Sequence, residues 1–156
     1  MRRIVSGFAV WALTVSILVF GGKAPAAEPL PHNERTTKAD ATPVLVAEAK
    51  RWIGTNPTGW ERLWCARFMN FVLKRAGYPG TGSDAAASFA TYGRRLLWPQ
   101  VGAIAVMHRG KNGGHVGVVS GFDANGNPII ISGNHNKRVG VAVYPRERVY
   151  AYVVPN

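Results

Sequence analysis

The spacing of apolar residues changes character once along the chain. From Thr42 to about Tyr92 they recur at helical intervals; after Pro99 they fall in short β-branched runs. Thr42-Pro43 reads as a helix start, with threonine as cap and proline in the first turn. Leu45, Ala49, Trp52 and Ile53 continue at helical spacing, and Gly54 stops the run. Thr55 to Trp60 reads as loop, and Thr58-Gly59-Trp60-Glu61 has the spacing of a capping box. A second helix is expected over roughly Leu63 to Ala76. Cys65, Phe68, Met69, Val72 and Ala76 lie along one side of it, and Gly77 and Pro79 end it. Ser83-Asp84 caps a short third helix running to about Tyr92.

Strands are expected at Ala103 to His108, His115 to Phe122, Pro128 to Ser132, Val139 to Val143 and Val149 to Val154. Turn clusters separate them at Gly110 to Gly114, Asp123 to Asn127 and Asn134 to Arg138. Helices first and a meandering antiparallel sheet of about five strands second define an α+β domain. That domain is expected over 42–156.

The segment before it carries an address. Arg2 and Arg3 precede an uncharged run from Ile4 to Phe20, and Ala24-Pro25-Ala26 offers small residues for cleavage. Residues 1–26 are expected to be a secretory signal cut after Ala26, with Ala27 as the neighbouring choice. The competing reading is an uncleaved anchor, since 17 apolar residues lie at the lower edge of a membrane span. Residues 27–41 are polar and proline-bearing and read as a flexible linker. The expected destination is the periplasm or the cell exterior, with no stable membrane insertion after cleavage.

Charge sharpens this picture. Nineteen Lys+Arg against eight Asp+Glu give +11 over 156 residues. Loss of Arg2, Arg3 and Lys23 with the signal would leave +8 on the exported body. Such a body is drawn to polyanions, and export together with the lack of an arginine-rich block or RNA-binding aromatic pattern argues against nucleic acid. A single cysteine excludes an intramolecular disulfide framework and an all-thiolate zinc site. A catalytic zinc site also fails on spacing: His108 and His115 are seven apart, and neither forms a short-spaced ligand pair with Cys65 or an acid. No metal and no cofactor are expected, and the chain is expected to be a monomer.

Cys65 is the first candidate for chemistry. It sits in Trp64-Cys65-Ala66-Arg67-Phe68 near the second helix's start, where the dipole and free N–H groups favour thiolate. The bland alternative is an inert cysteine filling core space. His115, in Gly113-Gly114-His115-Val116-Gly117, heads a strand behind two glycines, a position from which it could serve a cysteine nucleophile. Gly114 there lets a substrate approach closely. Alone, the same histidine would read as a solvated turn residue. Nineteen residues further, Asn134 follows the returning strand and could accept from His115 Nδ1–H, leaving Nε2 for the thiol. Asn136 is its rival, and ordinary turn chemistry is the alternative for both. Trp60 and Trp64 are candidates for a substrate groove or for aromatic core packing. His32 lies in the linker and takes no role, and His108 reads either as a second cleft residue or as surface.

These motifs in this order resemble the CHAP and NlpC-type cysteine hydrolases of bacterial cell walls and phage lysins, in particular a small subgroup with W-C-A-x-F and G-N motifs. The carriers are Trp64 to Phe68, Gly80 to Ser83, Val101 to Val106, Gly114 to Val119 and Ser132-Gly133-Asn134, and the resemblance spans roughly Thr42 to Pro155. It implies a papain-like α+β fold and cleavage of amide bonds in peptidoglycan. Cys65 matches the nucleophile, His115 the base and Asn134 the polar third residue. Two departures stand out. The family usually has Gly-Asp where this chain has Gly102-Ala103, and CHAP enzymes often place a glutamate where this chain has Ser132. Two readings follow: a secreted peptidoglycan amidase or endopeptidase, and a wall-binding module of the same fold with weak or absent catalysis. A third reading, action on anionic lipid, lacks the basic amphipathic helix it would need.

Overall fold

The computed structural model describes residues 41–110 and 113–156. The expected signal or anchor over 1–26, and nearly all of the expected linker, lie outside the described residues. Among the described residues no helix is long and apolar enough to cross a membrane.

Helix α1 spans Ala41–Lys50 and buries Leu45, Val46 and Ala49 on one side. Three successive i→i+3 bonds from Arg51, Trp52 and Ile53 tighten its end. Gly54, at φ 86°, then turns the chain so that its N–H reaches Val139 O at 2.8 Å, while Val139 N–H returns to Thr55 O at 2.7 Å. The end of the first helix is thereby tied to the far edge of the sheet.

Helix α2 spans Cys65–Arg75, shorter at its start than the expected Leu63. The pairs Cys65/Ala66, Phe68/Met69 and Val72/Leu73 are buried, the 3.6-residue stripe of a core-facing helix. The expected capping box does not form. Thr58 Oγ1 instead accepts from Trp60 N–H inside the loop, and the residue at the N-cap is Trp64, without a side-chain cap bond. The helix ends as the glycine signal predicts. Gly77 at φ 84° lets Tyr78 N–H reach Leu73 O and Gly77 N–H reach Lys74 O, a Schellman pair. The third helix is a single 3₁₀ segment, η1, over Ala86–Thr91, rather than a longer helix started by Ser83. Ser83 Oγ accepts from Ala85 N–H as a local turn.

Six strands form one antiparallel sheet: β1 Arg94–Leu96, β2 Ile104–Arg109, β3 Gly113–Phe122, β4 Pro128–His135, β5 Arg138–Val143 and β6 Val149–Val154. Their order is β1-β6-β2-β3-β4-β5. The meander from β2 to β5 is as expected, but β6 returns to lie between β1 and β2. The edge strand β1 was not expected, because Arg94-Arg95-Leu96 is too short and polar to show a β pattern.

Both helices pack on one face of the sheet. There Leu45, Phe68, Met69, Val72 and Leu73 meet Ile104, Val106, Val116, Val118 and Ile131. The opposite face holds a smaller cluster of Ala103, Ala105, Met107, Val119 and Ile130, covered by Tyr144, Tyr152 and Leu96. Gly133 is the closest point between β4 and α2. A Cβ there would lie 2.6 Å from Phe68 Cβ and 2.7 Å from the Trp64 ring, so only glycine lets the strand approach the helix start.

Candidate active site

Cys65 is the first residue of α2 and is nearly buried, 4% exposed. The chain enters it through Leu63, a non-glycine residue at φ 53° and 71% exposed, so local backbone strain sits two residues before the thiol. The backbone N–H groups of Val116, Ala66 and Cys65 and the Arg109 charge favour the thiolate. Burial outweighs them and raises the thiol above its ordinary value. The expectation of a resting thiolate is therefore corrected: the helix end is there, but so is the desolvation.

The thiol opens on a cleft of about 310 Å³ lined by Leu63, Asp84 to Ala87, Arg109, Gly113 and Gly114. Gly114 thus lines the cleft, and a Cβ on it would come within 3.0 Å of Ala86 Cβ. Trp64 is fully buried, edge-on to Phe68 at 6.4 Å between ring centroids. It packs in the core, the second of the two uses the sequence allowed. Trp60 is half exposed, with the Arg67 guanidinium 3.6 Å above its ring, and lines a separate depression with Pro57, Asn70 and Phe71. Arg67 is also ion-paired to Asp84.

His115 stands on β3, 5% exposed. Strand alternation sends Val116 and Val118 into the helix-side core and turns His115 toward β4 and the segment after β5. Its Nε2 lies 2.9 Å from Ser132 Oγ and 3.3 Å from the Tyr144 hydroxyl. Its Nδ1 is buried and has no hydrogen-bond partner among the described residues. Burial pushes the imidazole pKa down to about 4, helped by the charges of Arg109, His135 and Arg148.

The β3–β4 ladder runs from Phe122 opposite Pro128 to Val118 opposite Ile131 and reaches neither His115 nor Asn134. The expected bond is not what forms. Asn134 adopts φ 56° within a register shift of β4 and makes no hydrogen bond to His115 among the described residues. Ser132, one step earlier on the same face, makes it. Gly117, opposite Ser132, leaves the room: a Cβ there would come within 2.8 Å of Ser132 Cβ. Ser132 and Tyr144 were missed as imidazole partners. Ser132 carried a signal, since it stands where CHAP enzymes often have glutamate; Tyr144 carried none. Asn134 and Asn136 instead line a second cavity of about 150 Å³ with His115, His135, Tyr144, Arg109 and Arg148.

The structure thus brings Cys65 beside Val116 N–H, one residue from His115, but forms no thiol–imidazole hydrogen bond among the described residues. His108 is exposed, its ring 4.6 Å from that of Tyr150, and it pairs with Gly114 across β2 and β3. Among the described residues no group of three or more His, Cys, Asp or Glu is placed to hold a metal.

A cysteine at a helix start and a histidine on a strand of one antiparallel sheet belong to an α+β domain. The CHAP domain model matches residues 56–134, from the loop before α2 to the end of β4. That span is half of the chain, and the chain belongs to the CHAP domain family. Membership is consistent with a peptidoglycan hydrolase. No curated protein matches the chain.

Proposed function

We propose that this is an exported peptidoglycan amidase or endopeptidase, working in the periplasm or outside the cell, that cuts an amide with Cys65 as nucleophile and His115 as base. The observation that carries this reading is the position of Cys65. It is the first residue of a helix with no side-chain cap, with its sulfur beside the N–H of the residue that follows His115.

The raised thiol and the lowered imidazole mean that both groups rest neutral at pH 7. The reaction is then general-base assisted rather than a standing ion pair. In the tautomer with its proton on Nε2, His115 donates to Ser132 and keeps a lone pair on Nδ1. Nδ1 takes the thiol proton as sulfur attacks the amide carbonyl, then delivers it to the leaving amine. Water hydrolyses the thioester by the same route in reverse. The first turn of α2, which has no side-chain cap, offers its N–H groups to the oxyanion.

Among the described residues no carboxylate hydrogen-bonds His115, which favours the second reading, a wall-binding module with weak catalysis. Mass spectrometry of purified sacculi after incubation with the protein and with its Cys65→Ala variant separates the two. Soluble muropeptides released by the wild type alone support the hydrolase, and their masses name the bond. Binding by both proteins without release moves the assignment to the module.

A further inference from the structure

The cavity beside His115 carries two guanidinium groups and, among the described residues, no carboxylate lines it. Arg109 comes from the end of β2, His135 from the end of β4, and Arg148 from the short turn before β6. Asn134, Asn136 and Tyr144 complete the lining. The ion pairs among the described residues use Arg51, Arg67 and Arg75; neither Arg109 nor Arg148 meets a carboxylate. Arg148 spends one nitrogen on His108 O, at 3.0 Å, and has further N–H groups free. Two guanidinium groups, one from the end of a strand and one from the turn before another, line a polar cavity suited to an oxyanion. A cavity of about 150 Å³ takes a small acid group and its carbon stem, not a substituted sugar ring.

We propose that this cavity is a carboxylate subsite, and that a free carboxylate of a peptide substrate, bound between Arg109 and Arg148, supplies the negative charge that His115 lacks in the protein itself. The inference rests on the reading of His115 as the base. Five groups face the imidazole or its immediate surroundings: Arg109 from β2, Ser132 and His135 from β4, Tyr144 after β5, and Arg148 before β6. Arg109, His135 and Arg148 all disfavour an imidazolium, and a bound carboxylate offsets them. Basicity then rises only when a substrate of the right charge is in place, which makes the subsite a specificity device for acidic peptide stems.

The test uses the full chain carrying Cys65→Ala, with histidine titrations followed by NMR. One probe is a wall stem peptide with free carboxylates; the other is the same peptide with every carboxylate amidated. The acidic peptide is expected to raise the His115 midpoint by about one unit or more. The amidated peptide leaves it in place. Arg148→Gln and, separately, Arg109→Gln are each expected to weaken the acidic peptide about tenfold and remove the shift. Equal binding of the two peptides, or a bound acidic peptide that leaves His115 unmoved, overturns the subsite. Hydrolysis by the wild type is scored apart. Equal cleavage of both peptides retains the enzyme and rejects the subsite. Carboxylate-dependent binding and shift without any cleavage retains the subsite and rejects the enzyme.

Discussion

His115 Nε2 is held 2.9 Å from Ser132 Oγ, so the imidazole is oriented by a hydroxyl rather than by an acid or an amide. A hydroxyl fixes direction without offering charge. Ser132→Ala removes this bond inside a buried site and leaves only the longer Tyr144 contact. The expected result is a fall of about tenfold in kcat with little change in KM, the worth of one buried hydrogen bond. Tyr144→Phe costs less alone, and the double variant loses more than the product of the two, because each hydroxyl covers for the other. Steady-state hydrolysis of muropeptides checks all three.

Thiol reactivity follows burial. Because the Cys65 thiol is raised above its ordinary value, alkylation by iodoacetamide in the free protein should be slow at pH 7. It should still be climbing beyond about pH 8.5. A rate that levels off below pH 7 would show that the helix end outweighs desolvation.

Acid should weaken the fold through His115. Its folded pKa of about 4 lies below the ordinary 6.5, so the unfolded chain binds more protons between those values. Stability therefore rises with pH across pH 4 to 6.5 and is lost as pH falls through that window. Urea unfolding at pH 4.5 and pH 7 should differ by about 2–3 kcal/mol from this group. His115→Gln should remove most of that difference.

Gly133 is where β4 and α2 touch. A methyl group there meets Phe68 Cβ and the Trp64 ring inside van der Waals contact, with no flexible end to move aside. Gly133→Ala should cost about 1–3 kcal/mol by overpacking, measured by urea unfolding. Because Trp64 precedes Cys65, the same change should lower activity more than stability alone explains.

Much of this domain was legible in its residues. The glycine at 77, the buried stripe of α2 and the β-branched runs report their own local structure, and each element formed near the place they indicate. Even the antiparallel β3–β4 hairpin that carries His115 and Ser132 could be counted. The side-chain outcome could not, because it turned on a left-handed residue at 134 and on the space opposite 132, both set by tertiary contacts. The thiol was misjudged for the same reason: a helix start is visible in sequence, and the depth at which it is buried is not. The edge strand β1 owes its pairing to residues 56 or more positions away.

The placement of β6 has a consequence for how the chain is made. Val149–Val154 separates β1 from β2, so while a ribosome has delivered only the first five strands, β1 has no partner and β2 presents a raw edge. Arg148 arrives with that same stretch, immediately ahead of β6. The nascent chain therefore cannot finish its sheet or its basic cavity until the last strand is out, and closure of both falls into one late, long-range step.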